Sequence, residues 1–201
     1  MAATATPYGL RAVNLIGGLP FAGSTRQISI ASGYGTNIFN GSIVTIAATG
    51  TIEIVTTNGD NSTGFPAGTI GIFVGCRYTD PSTSQLTFNQ RWPTGTVASD
   101  AMAYIVDDPN AVFQAQADGA VTQTDLGNNT YLAAVQSTST GSTINGNSTS
   151  ALTSTTAVTS GMAFRIVDFV DGPDSAIGDA YTDLLVKFNP DSHSYLNKTG
   201  I

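Results

Sequence analysis

The chain of 201 residues holds one histidine and one cysteine beside fourteen Asp and Glu. A Ser/His/Asp or Cys/His site needs a base next to its nucleophile. The sole imidazole is His193, close to the C-terminus. Cys76 sits in an apolar, strand-like run, where burial raises a thiol's pKa. A buried core thiol is expected there. One Cys with one His cannot make a zinc set. Two acidic groups could offer calcium clustered oxygens: Asp171-Gly172-Pro173-Asp174 with Asp179, and Asp107-Asp108 with Asp118. Neither has the regular spacing or terminal Glu of a calcium loop, so turn carboxylates capping backbone N–H groups are expected. A glycosidase pair cannot be singled out among so many carboxylates. No glycine-rich nucleotide motif occurs. Tyr8, Tyr34, Phe39 and Trp92 could form a sugar platform, but such rings more often plug a core or an interface. The residues therefore predict no catalytic set and no cofactor, and a protein that is not an enzyme.

The elements that would position these residues are strands. Around Trp92–Asp118, Met102, Tyr104 and Val106 alternate with Ala101, Ala103 and Ile105, the period of two that marks a strand. Asp108-Pro109-Asn110 reads as a turn, and Ala111–Gln116 as a second strand. The pair predicts a β-hairpin at the centre of the main sheet. Further strands are expected at Arg26–Ile30, Ser42–Ala47, Thr51–Thr56, Thr69–Tyr78, Gln85–Asn89, Thr130–Val135 and Met162–Val170. In Thr69–Tyr78, Ile70, Ile72, Val74 and Cys76 alternate, with Gly71 and Gly75 marking a bulge or a close approach. Tyr181–Phe188 fits either a helix or a strand, and a strand is chosen. Gln136–Ser160 is almost pure Ser, Thr, Gly, Ala and Asn. Its apolar pairs Ala151-Leu152 and Ala157-Val158 argue for a solvated loop with a twisted edge strand rather than a linker.

Composition points the same way. Hydrophobic residues make up 41% and charged residues only 10%, well under the usual share of about 25%. Glu53 is the only glutamate, and Lys187 and Lys198 are the only lysines. Strong helix formers are scarce and β-branched residues abundant. The fold expected is mainly β: a β-barrel or sandwich-like single domain with an extended N-terminal arm and long loops. The arm spans 1–24, the core 25–190 including the Ser/Thr-rich loop 136–160, and a C-terminal tail 191–201. The net charge of −7 with scattered arginines argues against nucleic acid as a partner. No apolar run reaches the ~18 residues of a membrane span, and the N-terminus lacks a signal-peptide pattern. A soluble protein made in the cytosol is expected, with its N-x-Ser/Thr sequons unused. The lone cysteine excludes an intrachain disulfide.

The arm has little pattern of its own and would gain order by packing on another subunit or on its own core. Pro7, Tyr8, Leu10, Val13, Leu15 and Ile16 are its candidate interface residues.

Three stretches resemble one family of tailed-phage virion proteins, the capsid decoration or cement proteins of marine phages. The first is Thr6-Pro7-Tyr8-Gly9-Leu10-Arg11 with Gly17-Gly18 and the Ser32–Asn37 turn. The second runs from Gly71-Ile72-Phe73-Val74-Gly75-Cys76-Arg77-Tyr78-Thr79-Asp80 through Trp92-Pro93 and Gly95-Thr96. It continues over Ala103-Tyr104-Ile105-Val106-Asp107-Asp108-Pro109 to Phe113, Gln116 and Asp118-Gly119. The third is Phe164-Arg165-Ile166-Val167 with Pro173, ending at Leu184–Asn189. The match spans nearly the whole chain. It implies a β-barrel-like protein on the outside of an icosahedral head, clamping neighbouring major capsid proteins. Such proteins often stand as trimers, so a homo-oligomer is expected, with the trimer favoured. A receptor- or glycan-binding module of the phage tail is the alternative.

Overall fold

Period-2 runs of β-branched side chains fold here into strands that stack as two antiparallel sheets. The structure is a computed structural model and describes residues 4–200. Its strands are β1 (Arg11–Leu15), β2 (Arg26–Ser29), β3 (Ile43–Ile46), β4 (Ile52–Ile54), β5 (Thr69–Thr79), β6 (Leu86–Asn89), β7 (Met102–Val106), β8 (Ala111–Gln116), β9 (Asn129–Thr130), β10 (Phe164–Phe169) and β11 (Asp183–Phe188). Helix is confined to 3₁₀ turns at Gln123–Asp125 and Pro190–Ser192. One sheet has the order β1-β8-β11-β10-β9. The other has β2-β7-β5-β3-β4, with β6 paired to the far end of β5. The two ends of the second sheet meet only at one isolated bridge, Ile30 to Ile52, and no continuous ladder joins β2 to β4, so the architecture is a sandwich and not a closed barrel.

The expected central hairpin is not formed. β7 pairs with β2 and β5 in one sheet, while β8 pairs with β1 and β11 in the other. The turn itself is as read: the Ala111 N–H donates to the Asp108 carbonyl at 3.0 Å and the Asn110 N–H to Asp108 Oδ1 at 2.7 Å. No residue of this turn has positive φ, whereas tight hairpins favour the primed turns that need it. The chain therefore arches from one sheet to the other.

Two bulges on β5 overturn the expected alternation. Against β3, register slips between Val44 and Thr45, leaving Ile70 extra; against β7 it slips between Phe73 and Gly75, leaving Val74 extra. Each extra residue flips the faces that follow. Ile72 and Val74 consequently look into the space between the sheets, while Ile70, Phe73, Cys76 and Tyr78 look the other way. Gly71 is the close approach: a Cβ there would collide with the Val106 carbonyl oxygen.

The second sheet is thus buried on both faces over much of its extent, with the β6 end of one face left open. Between the sheets lies a core built on Phe113, Phe164, Ile166, Leu184, Val186 and Phe188. Phe188 is its hub, 4.8 Å from Phe164 and 5.7 Å from Phe113 between ring centroids. On the outer side, Ile38, Phe73, Cys76, Ile105 and Trp92 form a second core. Irregular chain roofs it: Ile38 and Trp92 exchange both backbone hydrogen bonds, at 3.2 and 2.8 Å.

The Ser/Thr-rich loop 136–160 is solvated over 137–139, 143–145 and 158–160, and between these stretches it is laced to the body. Leu152 is buried and bridges both Ala117 and Leu132. The buried Gln136 carboxamide receives the Ile43 N–H at 2.9 Å and donates to the carbonyls of Ile43 and Val55 at 3.0 and 3.2 Å. A side chain here takes the place of a strand rung. The expected edge strand is reduced to isolated bridges, and the expected strand Thr130–Val135 to β9 and the bridge at Leu132. Tyr181–Phe188 does yield a strand, β11.

Candidate functional site

The sheet layout scatters the residues whose types could do chemistry. Cys76 is buried in the second core, its Sγ 3.3 Å from the Arg91 carbonyl oxygen. Burial pushes its thiol up to about 12, against a smaller pull from Arg91. His193 lies at the rim of the first core, its ring edge-on to Phe188 at 5.5 Å and near Tyr195 at 5.2 Å. Its Nδ1 accepts the Tyr195 N–H at 3.2 Å. Burial holds its pKa below the ordinary value, although Asp107 and Asp108 pull the other way. The two groups sit in different cores and cannot act together. Among the described residues no three His, Cys, Asp or Glu converge on one point. Asp118 accepts the Ser154 N–H at 2.7 Å and Asp179 the Ala176 N–H at 3.2 Å, the role expected of turn carboxylates. Asp107 instead pairs with Arg26 at 3.0 Å and accepts the Tyr195 hydroxyl at 2.8 Å. These bonds tie the described part of the tail to β2 and to the arch. Phe39 and Trp92 are core plugs, and Tyr34 takes the Ile54 N–H on its hydroxyl at 3.1 Å.

The N-terminal segment is less of an arm than its sequence suggests. Residues 1–3 lie outside the described residues. Gln116 takes the next stretch as a strand would: its Oε1 accepts the Thr6 N–H at 2.8 Å and its Nε2 donates to the Thr4 carbonyl at 3.1 Å. Tyr8 is half-buried, with the Arg11 guanidinium 4.5 Å from its ring centre. Gly9, with φ of 75°, passes Gly41 so closely that a Cβ would come within 2.9 Å of its carbonyl oxygen. Leu10 then enters the first core and Leu15 packs against it. Both thus pack on the chain's own core, one of the two ways the sequence left the arm to gain order. Gly17 and Gly18, both at positive φ, turn the chain back so that the Leu15 N–H reaches the Leu19 carbonyl at 2.8 Å.

Of the six candidate interface residues, Pro7 and Tyr8 stay half-buried, while Val13 is 39% and Ile16 47% exposed. Leu19, 65% exposed, joins them. Beside Ile16 a shallow depression is lined by Val112, Val167 and Leu185. The outer face of the first sheet therefore carries an apolar corner on a bonded strand.

A second open surface was not singled out in the sequence. Beyond the cover of the first sheet, β5, β6 and β7 expose the same face that forms the first core farther along. Phe88 lies opposite Arg77 there, and Gly75 lies opposite Tyr104. Phe88 is 67% exposed. The only sequence signal for this surface was that Leu86 and Phe88 share one face. That they lie on a strand with a single neighbour was set by the topology.

In comparisons with known protein families, curated proteins and solved structures, nothing matches this chain. Among the described residues no helix is long and apolar enough to cross a membrane.

Proposed function

We propose that this chain is a capsid decoration protein of a tailed phage, bound to the outside of the head and clamping neighbouring major capsid proteins. The reading starts from the sequence resemblance. The observation that carries it furthest is the apolar corner of Val13, Ile16 and Leu19, held on an edge strand of a rigid sandwich. A clamp needs such a surface and no reacting group. The partners in this reading are the major capsid protein and further copies of this chain, with a trimer favoured.

The physical effect would be linkage. A protein that binds the closed lattice and not its free subunits stabilises the lattice by ~4 kcal/mol per site at a thousandfold excess over Kd. Many sites act together, so modest affinity at each suffices. Asp168 is the one charged residue lining the depression beside Ile16, so the contact is mainly apolar and moderate salt should leave binding intact.

The test uses the purified full chain, expanded empty heads and cryo-electron microscopy. Density bridging capsid subunits is expected, with a rise in head melting temperature. Deleting residues through Leu19 would remove β1 and damage the sandwich. The discriminating variant is the surface pair Ile16→Asp with Leu19→Asp, which should release the protein from heads while its circular dichroism stays that of the parent. Undiminished binding by this variant would remove the corner from the reading. Binding to host envelopes or tail tips, with none to heads, would favour a receptor-binding module.

A further inference from the structure

The open face of the second sheet contains a feature independent of the apolar corner. Gly75 lies between Tyr104 on β7 and the end of β6 at Asn89, with Gln90 just beyond it. Having no side chain, it leaves a notch in the sheet surface. Phe88 and Tyr104 flank this notch and Val74 adds to its floor, giving a groove of 460 Å³.

We infer that this notch binds a neutral saccharide. The lining supplies two kinds of contact. Phe88 offers an exposed ring, and the face of an aromatic ring is electron-rich. It attracts the weakly positive C–H face of a sugar. Around it stand three carboxamides. The Asn40 backbone is bonded to the segment 146–148, at 2.9 and 2.8 Å, while its side chain makes no hydrogen bond among the described residues. Asn89 uses only its Oδ1, which accepts the Arg91 N–H at 3.1 Å. Gln90 uses only its Nε2, which donates to Asn147 Oδ1 at 2.6 Å. Donor and acceptor capacity is thus left at the rim, which suits hydroxyl groups that both give and take hydrogen bonds.

The lining carries no formal charge, so nothing in it selects phosphate, a nucleotide or a carboxylate. The one cation on this face near Phe88, Arg77, is turned to the Gln27 carboxamide at 3.4 Å. The groove is open and half polar, which disfavours a lipid chain. The inference does not depend on where the protein sits on a virion, because it is read from the groove lining alone.

The experiment is an NMR titration of the isolated full chain with glucose, galactose, N-acetylglucosamine and their short oligomers, with sialyllactose as the acidic comparison. A neutral sugar should shift the side-chain amides of Asn40, Asn89 and Gln90 and the Phe88 ring. Phe88→Ala should weaken binding about tenfold, and Asn40→Ala severalfold. Leu19→Asp, past the turn after β1, should bind as the parent does. The Phe88→Ala chain should keep parent circular dichroism, since that ring is already in solvent. No shift with any neutral sugar up to about 50 mM would overturn the inference. So would unchanged binding by Phe88→Ala, or a response to sialyllactose alone. Self-association abolished by Phe88→Ala without sugar binding would instead make this face a contact between copies.

Discussion

The two cores of this protein are built by different means. The first lies between two hydrogen-bonded sheets, and its backbone is satisfied by ladders on both sides. The second has a sheet on one side only. Its roof is loop, and a buried loop must find partners for its polar backbone one group at a time. Asn37 is the node that does this. Its Oδ1 accepts the Thr94 N–H at 2.9 Å and Arg91 Nη1 at 3.3 Å, while its Nδ2 donates to the Thr138 carbonyl at 3.0 Å. Trp92 then closes the roof, donating its indole N–H to the Tyr34 carbonyl at 3.2 Å and meeting Tyr78 edge-on. A chain poor in charge can thus cover a second face with polar, uncharged loop, provided a few carboxamides are placed at the crossings.

The largest effect is expected from Phe188→Ala. It removes the ring that touches Phe164, Phe113 and His193 and should cost about 3–5 kcal/mol. Urea denaturation should show a midpoint lowered in proportion, read by circular dichroism and by Cys76 labelling alike, because the second core rests on a sheet the first core holds.

Asn37→Ala should cost less, about 1–3 kcal/mol, and it should act locally. Labelling of Cys76 by a thiol reagent should speed up, while amide exchange at Phe113 and Val186 stays slow. If exchange at those strands rises by the same factor, the two cores open as one unit and the contrast fails.

Titration should separate the two cores as well. His193 is held below its ordinary value of 6.5 by burial. The unfolded chain therefore takes the proton first, and stability present above pH 6.5 is lost as pH falls through the folded value. Acid should loosen the tail at the first core, read as faster exchange at Ser194, whose N–H donates to the Thr69 carbonyl at 2.7 Å. His193→Gln should flatten this dependence. Cys76 is the opposite case. Its folded pKa is raised to about 12 from 9.0, so its contribution is complete below pH 9 and is lost as pH rises toward 12. A Cys76→Ala chain should lack that alkaline slope.

Much of the molecule was legible in the residues. Period-2 runs and scarce helix formers fixed strands and fold class, because side-chain alternation and backbone preference are local properties. The burial of Cys76 followed from its apolar neighbours, and the Asp108 turn from its own chemistry. Which strands pair was not legible. β7 and β8 are separated by one turn, yet they belong to different sheets, since pairing is decided by partners such as β2 and β11 that lie far along the chain. The faces of β5 were misread for a related reason. Its two bulges depend on the registers of β3 and β7, and no pattern within β5 reports them. Gln116 and Gln136 read as ordinary polar residues, and only the fold shows that their carboxamides stand in for strand backbone. The two open surfaces are also tertiary in origin. Leu10 and Ile16 are alike in sequence, but one is enclosed by the sandwich and the other left at its corner. Phe88 is exposed because β6 extends beyond the cover of the first sheet. Exposure is what remains after every other segment has packed, so the whole chain sets it.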